Sequence, residues 1–329
     1  MMSERVLSIQ DLCLSFPLYQ SEAHVLNAVS LHVNRGEIVG VVGESGSGKS
    51  VTAMVAMRLI PPDSYHIKSG SVNLLGTDML TAPEKTLRTL RGSRVAMIFQ
   101  EPMTALNPTR RIGKQMVDVI RQHRRLSVRE ARAHAATLLT DMQIADPLQV
   151  MDRYPFELSG GMRQRVMIAL AFSCDPDLLI ADEPTTALDV TVQRQVLRLL
   201  KQKAKATGTA VLFISHDMAI IAQLCDRLYV MYAGSVIESG DTHSLLNHPQ
   251  HPYTLGLLNS APEFREPRST LPSIPGTVPN LANLPAGCVF RERCFAAREA
   301  CGNVPPLRPL DDGSRAIACW YPQQENAHV

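Results

Sequence analysis

Eight consecutive residues, Gly43-Glu44-Ser45-Gly46-Ser47-Gly48-Lys49-Ser50, meet every fixed position of the pattern G-x-x-x-x-G-K-[ST]. Successive backbone N–H groups in such a loop converge on one anion, and the positive end of the following helix adds to their field. Lys49 then reaches the β- and γ-phosphates of a nucleotide, and the Ser50 hydroxyl binds the Mg²⁺ that bridges them. The apolar run Glu37-Ile-Val-Gly-Val-Val42 stands before the loop and Val51-Thr-Ala-Met-Val-Ala-Met-Arg-Leu-Ile60 after it. This is the strand–loop–helix setting that the phosphate-binding pattern requires.

Further residues suit phosphate chemistry. The apolar run Leu178-Leu-Ile-Ala ends on Asp182-Glu183. A carboxylate at the end of a buried strand suits Mg²⁺, which prefers oxygen ligands and keeps several waters. That role falls to Asp182. Glu183, one residue on, either points to the other face of the strand or turns away at its end, and can polarise a water for attack on the γ-phosphate, as a general base does. Leu158-Ser159-Gly160-Gly161-Met162-Arg163-Gln164 opens a helical pattern and supplies a second glycine-assisted anion site at a helix N-terminus.

These residues need a scaffold of alternating strands and helices. Strands are predicted at Val6–Ile9, Leu12–Phe16 and Val29–Val33, then again at Arg94–Phe99, Leu178–Asp182 and Ala210–Ser215. Capping-box patterns at Thr81-Ala-Pro-Glu84 and Ser127-Val-Arg-Glu130 each predict a helix start. A helix-rich, polar subdomain over about residues 101–157 interrupts the alternation, and Val192, Val196, Leu199 and Leu200 stripe a later helix. The predicted class is therefore α/β. Phe16 and Tyr19 stand near a strand end, where either could stack on an adenine ring or serve as filler. Beyond about Gly240 the composition shifts, with 12 of the 22 prolines falling in residues 249–322, a density that predicts a loop-rich extension.

Charge and hydropathy exclude several classes. Lys+Arg 33 against Asp+Glu 31 gives a net charge of +2, which argues for no polyanion and hence no nucleic-acid partner. No apolar run reaches the roughly 18 residues of a membrane-spanning helix, and the N-terminus has no secretory pattern. Seven cysteines in such a chain are expected to be reduced thiols or metal ligands. Four of them cluster as Cys288-x₅-Cys294-x₆-Cys301 with Cys319 after 17 more residues, a set that could bind zinc or an iron–sulfur cluster or stay unligated.

In order and spacing, the phosphate loop, Gln100, Leu158–Gln164, Leu178–Glu183, Ala187-Leu-Asp189 and Ser215-His216-Asp217 resemble the nucleotide-binding subunit of ATP-binding cassette (ABC) transporters. The resemblance implies a P-loop NTPase cassette over residues 1–245, with a mixed sheet, an antiparallel β region and the helical subdomain, followed by the extension 246–329. It implies ATP and Mg²⁺ as cofactors, with Gln100 contacting Mg²⁺ and the attacking water and His216 donating to the γ-phosphate. It also implies a head-to-tail dimer in which Ser159, Gly160, Gly161 and Gln164 close over the ATP of the other subunit, with Asp189 at the seam. Phe99-Gln-Glu-Pro-Met-Thr-Ala-Leu-Asn-Pro108, Met231–Gly240 and His251-Pro-Tyr-Thr254 resemble the importers of dipeptides and oligopeptides, and within them those for D,D-dipeptides. That branch implies a paralogous second ATPase subunit, two transmembrane permeases, a periplasmic peptide-binding protein, a peripheral place on the cytoplasmic face of a bacterial inner membrane, and a [4Fe-4S] cluster at Cys288, Cys294, Cys301 and Cys319. An importer for another cargo such as nickel or glutathione, or a soluble cassette ATPase of iron–sulfur cluster assembly, stays open at this point.

Overall fold

Aliphatic runs bounded by turns become strands buried along their length, and the amphipathic stripes become helices. The computed structural model describes residues 4–99, 105–185, 188–261, 272–310 and 313–323. Numbered along the chain, the strands are β1 (Arg5–Leu18), β2 (Ser21–Asn34), β3 (Ile38–Val42), β4 (His66–Leu74), β5 (Thr77–Asp78) and β6 (Val95–Ile98). They continue with β7 (Leu178–Asp182), β8 (Ala210–Ser215), β9 (Arg227–Tyr232), β10 (Ser235–Asp241), β11 (Arg308–Leu310) and β12 (Arg315–Ile317). The helices are α1 (Lys49–Ala56), α2 (Glu84–Leu90), α3 (Ile112–His123), α4 (Val128–Asp141) and α5 (Pro147–Asp152). After them come α6 (Gly160–Ala171), α7 (Val190–Thr207), α8 (Met218–Leu224), α9 (Thr242–Asn247) and α10 (Pro252–Ser260).

Two compact units interleave along the chain. The first holds residues 1–6, 34–37 and 81–212. In it β6 and β7 pair in parallel, Val95 opposite Leu178 and Ile98 opposite Ala181. Every residue of β7 is buried, as a strand covered on both faces must be. The helical subdomain packs tightly: a Cβ on Gly113 of α3 would lie 2.9 Å from the Met151 backbone oxygen of α5. The α4 start is a full capping box, with the Glu130 N–H donating to the Ser127 hydroxyl (3.3 Å) and the Ser127 N–H to the Glu130 carboxylate (2.8 Å).

The second unit holds residues 7–33, 38–80 and 213–329. It contains an antiparallel sheet in the order β2-β1-β4-β5. It also contains a ladder in which β3 and β9 are parallel while β9–β10, β10–β12 and β12–β11 are antiparallel. The proline-rich extension thus adds short strands and the nine-residue helix α10. Pro252 sits in the first turn of α10 and Pro309 in the edge strand β11, positions that need no N–H donor. Buried Glu238 of β10 fastens the extension by accepting from the N–H groups of Gln250 (2.8 Å) and His251 (3.0 Å) and from Arg315 Nη2 (3.2 Å).

Three local expectations change. The two strands predicted at Val6–Ile9 and Leu12–Phe16 are one, because a bulge between Gln10 and Cys13, with Asp11 at φ 44°, absorbs the break in alternation. The helix after the phosphate loop begins at Lys49 and ends at Ala56, before Pro61-Pro62, where Arg58 turns left-handed at φ 49°. Helix α2 starts at Glu84 behind Pro83 with no side-chain cap, so Thr81 does not cap it.

Replacing Ser127 by Ala removes one arm of the α4 capping box and is expected to destabilise the protein by about 1 kcal/mol. Urea denaturation followed by circular dichroism measures it, and an unchanged midpoint would remove the cap from the stability account.

Candidate functional site

The phosphate loop is shaped by close backbone approach. A Cβ on Gly43 would stand 2.2 Å from the Met231 carbonyl oxygen at the end of β9, and one on Gly48, at φ +95°, 2.9 Å from the Val25 oxygen of β2. Glycine is therefore dictated at both positions by contact as well as by conformation. Ser45 and Gly46 are exposed, while Ser47 and Lys49 are buried. The Lys49 ammonium donates to the carbonyl oxygens of Gly43 (2.8 Å) and Glu44 (2.9 Å) and to the Ser47 hydroxyl (3.3 Å). It is thus held over the loop that it would serve. Ser50 follows in the first turn of α1.

The acid pair sits where β7 ends. Asp182 is 6% exposed, and Glu183 is half-buried with a left-handed backbone at φ 44°. Of the two directions open in the sequence, Glu183 takes the turn away from the strand. A non-glycine residue in that region carries strain of order 1 kcal/mol, which gathers at functional positions.

Ser159 is the N-cap of α6, its hydroxyl accepting from the Met162 N–H at 3.3 Å, and its own surface is exposed. Gly160 and Gly161 face the start of α7. A Cβ on Gly161 would meet Val192 Cγ1 at 2.6 Å, so helix packing alone already demands that glycine. Asp189 caps α7 by accepting from the Val192 N–H at 3.0 Å. Gln164 is 0% exposed, and neither of its amide atoms has a hydrogen-bond partner among the described residues. Its side chain is thus enclosed within its own chain. His216 is exposed just beyond β8. Gln100 lies outside the described residues. Phe16 already packs edge-on against Tyr65 (6.4 Å between centroids), whereas Tyr19 is 92% exposed.

The four extension cysteines do come together. Cys288, Cys294, Cys301 and Cys319 line one pocket with Phe290 and Trp320, and the Cys288 N–H donates to the Cys301 carbonyl at 2.9 Å. Burial pushes the Cys288 and Cys294 thiols up, and Cys319 up to about 11. Among the described residues no group of three or more His, Cys, Asp or Glu side chains is arranged to hold a single metal ion.

Two contacts escaped the sequence reading. The Glu44 N–H donates to the Tyr253 hydroxyl at 2.9 Å, and the Glu44 carboxylate meets Arg293 at 2.7 Å. Neither residue belongs to a motif that announces the contact; His251-Pro-Tyr-Thr254 was the nearest signal.

Comparison with known proteins agrees with this geometry. Residues 26–186 match the family model described as ABC transporter, and residues 237–301 the one described as oligopeptide/dipeptide transporter, C-terminal region. The chain is 68% identical over 98% of its length, and 99% of the relative's, to the probable D,D-dipeptide transport ATP-binding protein DdpD of Escherichia coli. It is 43% identical to the oligopeptide transport ATP-binding protein OppD of Salmonella typhimurium, covering 97% of this chain and 95% of the relative. It is 42% identical to the dipeptide transport ATP-binding protein DppD of Bacillus subtilis, covering 99% and 97%. Among solved structures, the dimeric ATP-binding cassette MJ0796 bound to ADP and phosphate matches with a TM-score of 0.64 at 24% identity, over 72% of this chain and 98% of that one. At that identity the match speaks to fold.

Lys49→Ala removes the cation that charge-assisted contacts to phosphate require, contacts worth about 1.5–3 kcal/mol each. ATP affinity, read by equilibrium titration, should fall roughly 10- to 100-fold, and an unaltered affinity would take the loop out of nucleotide binding.

Proposed function

Since the chain belongs to the ABC transporter family, as an ATP-binding subunit of the dipeptide and oligopeptide importers, we propose that it energises the import of D,D-dipeptides. One observation carries the reading: a nucleotide cassette and an importer-type C-terminal region occur in one chain. The cargo is supported by the 68% identity to a relative named for probable D,D-dipeptide transport. The same C-terminal region disfavours an ATPase of iron–sulfur cluster assembly.

Membership implies permease partners and a substrate-binding protein. No described helix is long and apolar enough to cross a membrane. We assign the chain to the cytoplasmic face of the membrane, paired with a paralogous cassette. In that assembly ATP and Mg²⁺ occupy the phosphate loop, with Asp182, Ser50 and Gln100 serving the metal. Glu183 orients the attacking water, and His216 donates to the γ-phosphate. Ser159, Gly160, Gly161 and Gln164 close over the partner's nucleotide, and Asp189 lies at the seam. Tyr19, the more exposed of the two aromatic candidates, suits adenine stacking. The functional division remains a cassette over residues 1–245 and an extension over 246–329.

A [4Fe-4S] cluster fits the extension by donor chemistry: four thiols line one pocket, and such clusters are held by four cysteine thiolates. Cys288, Cys294, Cys301 and Cys319 would be the ligands.

Glu183→Gln is expected to keep ATP affinity while lowering turnover of the assembled complex about 10²- to 10⁴-fold. In cells lacking this chain, uptake of labelled D-alanyl-D-alanine should return with the wild type and not with the variant. Loss of L-peptide uptake alone would reject the cargo. Anaerobically purified protein should absorb in the visible as iron–sulfur proteins do and lose that band on Cys288→Ser, whereas colourless wild type would reject the cluster.

A further inference from the structure

Glu44 follows the first glycine of the phosphate loop, and a guanidinium 249 residues later in the chain holds its carboxylate. The Arg293 side chain is 7% exposed and that of Glu44 28%, so the guanidinium is withdrawn from water while the carboxylate keeps partial access. Its five N–H donors meet five acceptors. Nη1 donates to Glu44 Oε2 (2.7 Å) and to the Tyr232 hydroxyl (3.2 Å). Nη2 donates to Glu44 Oε1 (3.1 Å) and to the Ile274 carbonyl (3.4 Å), and Nε to the Pro275 carbonyl (2.8 Å). The guanidinium also lies over the rings of Tyr232 (5.7 Å) and Phe290 (6.0 Å).

An arginine satisfied at every donor is a fixed fork, and a bidentate fork sets the plane and position of the carboxylate that it grips. The other side of Glu44 is fixed too, since its N–H donates to the Tyr253 hydroxyl. The residue so held is part of the anion cradle: its carbonyl accepts from the Lys49 ammonium at 2.9 Å and from the Ser47 N–H at 3.2 Å. A plain ion pair tacking the extension down would serve stability wherever it fell. This one falls on the loop.

We propose that Arg293 is a positioning residue for nucleotide binding: through Glu44 the extension presets the phosphate loop, so that affinity for Mg–ATP depends on Arg293. The inference rests on reading the loop as the nucleotide site. Loss of the fork lets the first half of the loop relax away from the geometry that aims its amides and Lys49. Rigid presetting favours binding because it lowers the ordering cost on association.

The test uses the full-length chain and Mg–ATP titration. Arg293→Ala should weaken binding about tenfold or more, and Arg293→Lys, which keeps the charge and loses the fork, by an intermediate factor. Arg298→Ala, which removes a stack on Tyr321 at 4.7 Å elsewhere in the extension, should leave binding within about twofold. Adding Arg293→Ala to Glu44→Gln should cost less than adding it to the wild type, because the two act as a pair. In the assembled ATPase the KM for ATP should rise while kcat at saturation stays. Unchanged affinity in Arg293→Ala, with only a lowered melting temperature, overturns the proposal. If that variant does not fold, unchanged affinity in Arg293→Lys does the same. A wild type that binds no Mg–ATP overturns the nucleotide reading and the inference with it, and it is recognised without any variant.

Discussion

A polyphosphate can be held by backbone amides only if the chain brings several of them to one point, and that demand forces backbone to lie against backbone. At Gly43 the loop presses on the Met231 carbonyl, and at Gly48 on the Val25 carbonyl, distances at which a Cβ could not fit. Much of the second unit serves that contact. The fully buried strand β3 brings the chain to the loop, β9 supplies the wall at Met231, and α1 leaves with Lys49 in its first turn. One hydrogen bond from the Gly234 N–H to the Ser47 carbonyl at 3.1 Å closes the far side.

What was legible in the sequence was what local physics decides. Strands β7 and β8 lie where their aliphatic runs lie, because a run buried on both faces has no freedom to shift its ends. Ser127 caps α4 as its spacing foretold, because cap and helix are neighbours in the chain. Thr81 failed at the same task because Pro83, already locked near the helical φ and lacking an N–H, can stand at the boundary without a side-chain partner. The bulge in β1 was invisible because Gln10-Asp11 reads as a turn unless β4 is known to run beside it.

The candidate site divides in the same way. Its motifs were readable because the chemistry fixes residue type and local spacing together: a lysine after glycines, two acids after a strand, a histidine after another. The direction of Glu183 was not readable, since the sequence allowed either face and the backbone took the left-handed turn. The burial of Gln164 was not readable either: it is 0% exposed although it stands five residues after exposed Ser159. Long-range partners are the hardest, because nothing about Arg293 or Tyr253 marks either as a neighbour of Glu44.

The extension is therefore more than an appendage built around cysteines. Phe290 lines the cysteine pocket and also packs against Tyr232 (5.1 Å) and Tyr253 (5.3 Å), the residues whose hydroxyls meet Arg293 and the Glu44 amide. His251, its imidazole held neutral by burial with a pKa pushed down to about 3, closes the same aromatic cluster at 5.8 Å from Phe290. A close-packed cluster of this kind transmits displacement instead of absorbing it. Phe290 thus stands between the thiols on one side and the two tyrosines that meet Arg293 and Glu44 on the other.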